Sequence, residues 1–388
     1  MNNQIKVLVA PNSFKECADS VELVTLFETA FDKHLQKNIK SKIKFDYKPI
    51  SDGGDGFLEV CKYHFGLEKL HFEISYPFSD EKFLCPVGYW ESKKILFIES
   101  AEVLGLKNIP ENKRNPMELS SKGMGELLIQ ILDGIENGLL NVENVIVGIG
   151  GTGTNDLGLG MMEVFGLELY DKVDNKLDVL PQNFELVEKI VVPEVTLPFK
   201  LETVIDVENP LLGEKGACKA FARQKGASEN DVIHLEKGFE NILKELELDE
   251  GFISKLSGAG GGLAAAFKIF FNSEEKFASY FIENFLGINS ENSDYNLVIT
   301  GEGKFDFQSM MNKGSMIIAN KFAKKNIPVY IVCGEAEGIL PDDENIHVIE
   351  LAEYFDSTEE SIANIDKGIE LASKQISKFL IKLIETNS

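Results

Sequence analysis

The feature that most constrains the fold is the run VIVGIGGTGTND at residues 145–156. It begins with a continuous apolar stretch, which is typical of a β-strand that is covered on both faces. Closely spaced glycines and threonines follow, and the run ends with Asn155 and Asp156. Glycine allows a tight turn whose backbone amides can surround an anion. The run therefore predicts a phosphate-binding loop at the end of a strand.

Composition places further limits on the chain. Its 388 residues exceed one typical hydrophobic core, so two domains are expected. The formal charge of −24 disfavours a nucleic-acid partner. No apolar run approaches the roughly 20 residues that span a bilayer, and the first residues lack the pattern of a leader, so we expect a cytoplasmic protein without a membrane partner. The five cysteines show no CxxC spacing, which predicts reduced thiols.

Both ends of the chain alternate strand-like and helix-like segments. An apolar strand at 5–10 runs into the turn PNSFK, and a second strand at 45–50 runs into SDGGDG at 51–56. Near the other end, three more short apolar segments are predicted as strands: 296–300, 329–333 and 347–351. Such alternation is typical of parallel sheets, in which ligands bind beyond the carboxyl ends of the strands. The loops after these strands are therefore candidate binding sites.

The middle of the chain is less regular than its ends, which favours an α/β protein of two domains. We predict that residues 1–75 plus 290–388 form a flavodoxin/Rossmann-like domain with a parallel sheet, made from both chain ends. Residues 76–289 are predicted to form an inserted second α/β domain that carries the glycine run.

The glycine run also matches a second kind of site. Its GxGxxG spacing at 148–153, with Asp171 about 20 residues further on, fits the fingerprint of dinucleotide-binding proteins. In that motif a helix follows at once, whereas the polar residues and glycines at 155–160 delay a helix here. A dinucleotide-dependent oxidoreductase is therefore an alternative. A Walker A motif is absent from the sequence.

Phosphoryl transfer needs donors for the phosphates and carboxylates that hold a metal or accept a proton. Both classes of side chain recur after the predicted strands. The candidate cations are Lys15, Arg114, Lys225 and Lys313. The candidate carboxylates are Asp52, Asp156, Asp206, Glu302 and Asp306. Each one alone is by default a solvated surface group, so it is their recurrence at strand ends that favours a kinase.

Several motifs, taken together, resemble one family. They are SFK within PNSFK, SDGGDG, RNP at 114–116, GIGGTGTND, DVENPLLGEKGA at 206–217, QKGA at 224–227 and LVITGEGKFDFQ at 297–308, followed by Lys313. In their order and spacing, from about residue 5 to residue 335, they resemble the bacterial type I glycerate kinases. The resemblance implies a two-domain α/β kinase that uses ATP and Mg²⁺ to phosphorylate D-glycerate, with its active site in the cleft between the two domains. In such family members the product is usually 2-phosphoglycerate. The resemblance is also compatible with a homodimer.

The resemblance also implies roles for single residues. The expected catalytic residues are Asp206, Lys15, Asp52 and Asp306, and the expected Mg²⁺ ligands are Asp206 and Asp306. Substrate and phosphate contacts are expected from Asn12, Ser13, Gly53, Gly54, Arg114, Gly150, Gly151, Thr152, Thr154, Asn155, Asp156, Asn209, Gly301, Glu302, Gly303 and Lys313. One aspartate should accept the proton of the attacking hydroxyl, and the sequence does not separate Asp206 from Asp52 and Asp306. Arg114 or Lys15 is the expected partner of the substrate carboxylate.

The sequence departs from the family pattern at several motif positions. Asn12 replaces an aspartate, and Glu208 replaces the second aspartate of DVDNP. Around Lys313, Asn312 and Ser315 replace a glycine and a proline. The segment LSGAGGGLA at 256–264 is shorter than in the family. These changes leave open a kinase of another small hydroxy acid, or a relative that binds ATP and glycerate without turnover.

Overall fold

The computed structural model describes residues 4–14, 17–291, 293–306, 314–338 and 340–386. Contacts divide the chain into two compact units, Met1–Asp52 with Ala278–Ser388, and Gly53–Phe277. We call the first the terminal unit and the second the central unit. The predicted α/β class, with parallel sheets and two units, is confirmed. Over the described residues, no helix combines the length and the apolar character that a membrane span requires.

The secondary structure alternates along most of the chain. The strands are β1 (Ile5–Pro11), β2 (Ile43–Tyr47), β3 (Glu68–Ser75), β4 (Lys82–Trp90), β5 (Ile95–Glu99), β6 (Asn144–Ile149), β7 (Glu168–Tyr170), β8 (Lys176–Leu177), β9 (Lys189–Val191), β10 (Lys200–Ile205), β11 (Glu274–Phe277), β12 (Leu297–Phe305), β13 (Val329–Ala336) and β14 (Ile346–Glu350). The α-helices are Ser20–His34, Lys37–Lys40, Phe57–Phe65, Ser100–Leu104, Lys122–Glu136, Leu159–Val164, Ala217–Phe221, Glu229–Glu245, Glu250–Ile253, Leu263–Phe271, Ala278–Asn284, Gly314–Ala323, Thr358–Ala363 and Ile365–Thr386.

In the terminal unit, five parallel strands form one sheet in the order β14-β13-β12-β1-β2. Counted within the unit, this is the 2-1-3-4-5 order of flavodoxin-like folds. β1 and β12 lie side by side where the strand order reverses, and open α/β sheets bind ligands at such a point. The predicted flavodoxin-like sheet is confirmed, and the loops after β1 and β12 leave from its reversal point.

Helix Ser20–His34 shows how the sequence forms these elements. Asp19 accepts hydrogen bonds from two backbone amides of the first turn, as an N-cap aspartate does. Phe27 and Phe31 repeat at helical spacing and are buried in the same core as the apolar face of helix Ile365–Thr386. Burial of a side chain of this size contributes about 1.5–3 kcal/mol. The apolar face of each helix thus holds it on the sheet.

The central unit contains a six-stranded sheet in the order β11-β10-β6-β5-β4-β3. The four strands from β11 to β5 are parallel, and β4 and β3 are antiparallel to their neighbours. β6, which leads into the glycine run, lies between β5 and β10. Because Glu99 pairs with Gly148 and Ile149 pairs with Ile205, the loops after these three strands leave from one edge. A second, three-stranded antiparallel sheet has the order β8-β7-β9.

The boundaries between the units follow from strand pairing. β3 pairs with β4 along its length, and helix Phe57–Phe65 packs against β4 and β5. The segment after Asp52 therefore joins the central sheet. The contact-defined boundaries lie at 52/53 and 277/278, whereas the sequence analysis places them at 75/76 and 289/290. Local sequence patterns show where strands lie, but they do not show which sheet a strand joins.

Candidate active site

The loop after β6 presents backbone and not side chains. Gly151 is exposed and Gly150 is half-exposed, whereas residues 152–156 are buried. A ligand that approaches this loop would therefore meet it at residues 150–151. The direct ligand contacts that the sequence analysis assigns to four of the buried residues stay predictions: Thr152, Thr154, Asn155 and Asp156.

Asp156 stabilises the loop from inside the protein. Its carboxylate accepts hydrogen bonds from the amide and the hydroxyl of Ser121, at 2.6 and 2.7 Å. It also accepts from the amides of Gly158 and Gly160, both at 3.2 Å. Burial raises the pKa of this carboxyl, and the hydrogen bonds act in the opposite direction. Four donors use the capacity of a carboxylate fully, so Asp156 holds the turn between β6 and helix Leu159–Val164.

Lys225 contacts the same loop through its ammonium group. The Nζ atom donates to the carbonyl oxygen of Thr154 at 2.8 Å and to the hydroxyl of Thr152 at 3.3 Å. Burial lowers the pKa of Lys225 to about 7, while the charges of Cys218 and Asp156 act in the opposite direction. The sequence analysis lists Lys225 among the candidate cations, and the structure shows which loop it reaches.

Glu99 and Ser100, at the end of β5, connect the glycine loop with the SDGGDG segment. The Ser100 hydroxyl donates to the carbonyl oxygen of Gly150 at 3.0 Å and accepts from the amide of Gly150 at 3.1 Å. The Glu99 carboxylate accepts from the amides of Gly56 and Leu58, at 3.0 and 2.9 Å. Burial raises the pKa of Glu99 to about 7, and the two hydrogen bonds oppose this shift. Both loops are therefore held by one strand end.

The same two loops also touch directly. A Cβ atom on Gly150 would come within 2.5 Å of the Cα atom of Gly54. A Cβ atom on Gly148 would come within 2.7 Å of the carbonyl oxygen of Gly53. Only glycine permits backbones to approach this closely. Gly53, Gly54 and Gly150, all predicted site residues, are thus brought together.

Asp206 directly follows β10, and β10 pairs with β6, the strand that leads into the glycine run. Because Ile205 pairs with Ile149, Asp206 and the glycine loop leave from adjacent strand ends. The Asp206 residue is partly buried. Asn209 donates to the carbonyl oxygen of Lys215 at 2.7 Å and so holds its own loop. The carboxylate therefore lies at the edge where this class of sheet binds ligands.

Arg114 is partly exposed in the central unit. Its guanidinium donates to the carbonyl oxygens of Ile109 and Leu106, at 3.1 and 3.3 Å. No carboxylate in the described part of the chain forms an ion pair with it. The backbone carbonyl of Arg114 packs on Gly226, since a Cβ atom there would lie 2.1 Å from it. Arg114 thus lies beside the turn that carries Lys225, with further N–H groups to offer an anion.

In the terminal unit, the structure brings Asn12 and Asp52 together. The Asn12 Nδ2 atom donates to Asp52 Oδ2 at 3.0 Å, and the Asn12 backbone amide donates to the carbonyl oxygen of Gly301 at 2.9 Å. The Oδ1 atom of Asn12 is buried and has no hydrogen-bond partner within the described ranges. Ser13 and Asp52 are each partly exposed. An unpartnered buried oxygen is costly, so this position suits a donor or a cation from a ligand.

The remaining predicted residues of this unit belong to β12 or follow it. Gly301, Glu302 and Gly303 are part of the strand. Glu302 is buried and accepts a hydrogen bond from the Ser315 hydroxyl. Asp306 comes directly after β12 and is partly buried. Two further predicted site residues, Lys15 and Lys313, lie outside the described residues.

The residues present fit a Mg²⁺ ion that is bound together with phosphates. Over the described ranges, no group of three or more His, Cys, Asp or Glu side chains could hold a metal by itself. Mg²⁺ in kinase sites needs one or two protein carboxylates, because water and phosphate oxygens complete its coordination. Asp52, with Oδ1 of Asn12 nearby, offers such a partial set. Asp206 in the central unit and Asp306 in the terminal unit stay predicted ligands.

Sequence reasoning missed Glu99, Ser100 and Ser121, which hold the loops and carry no family motif. The sequence does contain a signal for Glu99 and Ser100, because they stand at the end of the strand predicted at 95–99. Polar residues at the ends of other predicted strands are candidate site residues for the same reason. Ser121 has no comparable signal. Its partner Asp156 is 35 residues away in the chain.

Comparison with known proteins covers nearly the whole chain. A family profile described as "Glycerate kinase family" matches residues 7–381. The glycerate 2-kinase of Escherichia coli K12 is 32% identical over 337 residues, which is 85% of each chain. The glycerate kinase of Haemophilus influenzae is 32% identical over 85% of this chain and 86% of that one. The glycerate kinase of Bacillus cereus is 29% identical over 96% and 97% of the two chains.

A solved structure agrees with these sequence matches. It is a crystal structure from Salmonella typhimurium LT2 of a protein provisionally named glycerate kinase 2. It covers 97% of this chain and 98% of its own, with a TM-score of 0.72 and 26% identity. The matched proteins are named as kinases, and this chain is a kinase as well. The match of the family profile to nearly the whole chain establishes that it belongs to the glycerate kinase family.

Proposed function

We propose that this kinase transfers the γ-phosphoryl group of ATP to D-glycerate and that the product is 2-phosphoglycerate. The observation that carries the proposal is the pair of adjacent strand ends at β6 and β10. One presents exposed backbone at residues 150–151, and the other carries the carboxylate of Asp206. Phosphoryl transfer needs donors on the phosphates and a group that positions the attacking hydroxyl. The name of the E. coli relative, glycerate 2-kinase, supports the substrate and the position.

In the proposed reaction, a hydroxyl oxygen of glycerate attacks the γ-phosphorus while the bond to the leaving ADP oxygen breaks. Asp206 accepts the hydroxyl proton, and Asp52 and Asp306 are the alternatives. The backbone amide of Gly151 donates a hydrogen bond to a phosphate oxygen, because the amide of Gly150 is already bonded to Ser100. A fixed donor of this kind stabilises charge that develops in the transition state. Mg²⁺ would neutralise charge on the phosphates, and Asp206 or Asp306, with Asp52 as a further candidate, would supply a carboxylate to hold it.

Arg114 is the proposed partner of the glycerate carboxylate. Its guanidinium is held by two backbone carbonyls and forms no ion pair within the described ranges. A guanidinium can bind a carboxylate through two parallel hydrogen bonds, which fixes the orientation of the substrate as well as its affinity. Arg114→Lys should therefore raise the KM for glycerate, because a lysine loses the planar fork.

The departure at Asn12 is compatible with turnover. Its amide donates to Asp52 at 3.0 Å, so it orients this carboxylate without adding a second negative charge beside it. The charge of Asp52 is retained. This favours an active kinase over a relative that binds its ligands without turnover.

The test is an ADP-release assay with ATP and D-glycerate, with and without Mg²⁺, and with NMR identification of the product. We expect Mg²⁺-dependent turnover and 2-phosphoglycerate. Asp206→Asn should lower kcat by about 10²–10⁴-fold, the usual contribution of a proton acceptor. Asp133→Asn, on an exposed helix position, is the matched control. A rate with D-glycerate no higher than that of Asp206→Asn would contradict the proposal.

The same assay separates the alternatives. Turnover with another small hydroxy acid and not with D-glycerate would show that the substrate is that acid. Binding of ATP and glycerate without ADP release would indicate a non-catalytic relative. Stabilisation by NAD and not by ATP would favour an oxidoreductase, although the helix after the glycine run begins only at Leu159 and is short. The predicted cytoplasmic location and a homodimer stay predictions.

A further inference from the structure

Lys225 is a buried lysine without a carboxylate partner. It is 3% exposed, and it ends the short turn Arg223–Lys225. Lysine is almost never this buried unless it is paired. In the part of the chain that the structure describes, its ammonium forms no ion pair, and its two hydrogen bonds go to the carbonyl oxygen of Thr154 and the hydroxyl of Thr152. This combination calls for an explanation.

A structural role alone explains the lysine poorly. Removing an ammonium group from water costs several kcal/mol, and two neutral acceptors return only part of that. The lowered pKa of Lys225 reflects the same cost. A neutral amide side chain could donate to the Thr154 carbonyl without it. The charge of the nearby Asp156 offsets part of this cost without a direct ion pair. A bound anion that interacts with the ammonium would offset more of it.

The geometry identifies where that charge acts. The two acceptors belong to Thr152 and Thr154, which flank Gly153. They lie in the chain just after the half-exposed Gly150 and the exposed Gly151. Other contacts of the loop include the hydrogen bonds of Gly150 with the Ser100 hydroxyl and one of 2.7 Å from the Gly153 amide to the carbonyl oxygen of Leu104. Lys225 is therefore buried against residues 152–154 of the loop, next in the chain to the exposed Gly151. An anion bound at residues 150–151 would have this ammonium beneath the adjoining residues of the loop.

We infer that Lys225 is a positioning residue for the phosphates of ATP. It holds Thr152 and Thr154 so that the backbone at residues 150–151 stays exposed, and its charge stabilises a phosphate bound there. The inference rests on the proposed function, because it takes ATP as the ligand of the glycine loop. It adds a residue that does not itself touch the substrate.

The test compares Lys225→Met with Lys219→Met. Methionine keeps much of the length and volume of lysine but has neither the charge nor the donors. Lys219 is partly exposed on the neighbouring helix and pairs with Glu214 at 2.7 Å, so its replacement removes a surface ion pair of small value. The readouts are the Kd of Mg–ATP by isothermal titration calorimetry, the KM values for ATP and glycerate, kcat and the melting temperature.

We expect Lys225→Met to raise the Kd and the KM for ATP by about tenfold or more. This effect is smaller than the loss of rate that follows removal of a donor in direct contact with the transition state. The KM for glycerate should stay within about twofold, and Lys219→Met should match the wild type. Lys225→Arg, which keeps the charge, should recover part of the ATP affinity. A purely structural lysine would instead lower the melting temperature and leave the Kd of the folded fraction unchanged, and that result would overturn the inference. A rise in the glycerate KM alone would also overturn it.

A second variant covers the case in which Lys225→Met does not fold. Thr152→Val keeps the shape of the side chain and removes one of the two acceptors. It should raise the Kd for Mg–ATP by roughly two- to fivefold, as the loss of one neutral hydrogen bond does. An unchanged Kd would overturn the inference. Wild-type protein that binds Mg–ATP but does not phosphorylate glycerate would contradict the proposed function and leave this inference standing, whereas wild-type protein that binds no nucleotide would overturn both.

Discussion

The loop after β6 in the central unit and the loop after β1 in the terminal unit both follow a buried parallel strand, and both carry polar residues predicted to contact ligands. They use these residues differently. In the glycine loop, Asp156 is buried and has all its acceptor capacity used by the protein itself. In the terminal loop, Asn12 holds a partly exposed Asp52 and keeps one oxygen without a partner.

The difference shows that a polar residue in a glycine-rich motif has two separate uses. It can contact the ligand, or it can hold a backbone that contacts the ligand. Asp156 and Lys225 belong to the second kind, since both are buried and bound to the loop. Asp52 is partly exposed and stays a predicted residue of the first kind. Replacing Asp52 should therefore affect the rate more than the stability, and replacing Asp156 should do the reverse.

The largest effect is expected from Asp52→Asn in the terminal unit. It should lower kcat by about 10²–10⁴-fold, as the loss of a proton acceptor or of a metal-holding charge does. The free energy of unfolding should change by less than about 1 kcal/mol, because the residue is partly exposed and the amide retains an oxygen for Asn12. Steady-state kinetics and urea denaturation measure the two effects. A stable variant with normal kcat would show that this loop, too, only holds the backbone.

Asp156→Ala is expected to produce the largest loss of stability. It leaves the amide and hydroxyl of Ser121 and two further amides without their acceptor in a buried place. Each unsatisfied buried donor costs about 1–3 kcal/mol, so we expect a loss of about 4 kcal/mol after relaxation. Urea denaturation is the measurement, and the exposed Asp133→Ala is the control. An unchanged free energy of unfolding together with a strongly lowered kcat would instead place Asp156 among the catalytic residues.

Glu99→Gln should change how stability depends on pH. Burial raises the pKa of Glu99 from 4.5 to about 7, so the folded state binds more protons than the unfolded state between these values. The free energy of unfolding of the wild type should therefore fall as the pH rises from about 4.5 to 7. Above about pH 7 this group should cause no further loss of stability. The contribution is at most about 3 kcal/mol. Glu99→Gln should lack this slope in urea unfolding measured from pH 4.5 to 8, whereas the exposed Glu118→Gln should retain it.

The smallest effect is expected from a pair of glycine substitutions. Gly151 and Gly138 have φ values of 65° and 69°, a region where alanine is strained by about 1–2 kcal/mol. A Cβ atom on Gly138 meets nothing within 4 Å, whereas one on Gly151 would lie 2.7 Å from Oδ1 of Asp55. Gly138→Ala should therefore cost about 1 kcal/mol, and Gly151→Ala about 2 kcal/mol with a several-fold higher KM for ATP. Equal ATP kinetics for both would argue against ligand binding at Gly151.

Much of the fold could be predicted because its signals are local. The apolar strand at residues 5–10 and the helical spacing of Phe27 and Phe31 both appear in the structure where the sequence places them. The delay of the helix after the glycine run is also confirmed, since that helix begins at Leu159. Glycines and polar residues after a predicted strand indicated the loops that leave from the edges of the two sheets. The assignment of the segment after Asp52 to one sheet or the other depended on pairing with distant strands, which no local pattern encodes.

The sequence by itself determined the elements, the family and the set of candidate site loops, because periodicity, glycine spacing and motif order are properties of neighbouring residues. Only the tertiary structure decided which polar residues face inward. Asp156 and Asp206 each lie in a polar motif that follows a strand, yet the carboxylate of Asp156 is enclosed by Ser121 and backbone amides, whereas Asp206 is only partly buried. Burial and hydrogen-bond partners from distant parts of the chain decide between these uses, and the residue type does not.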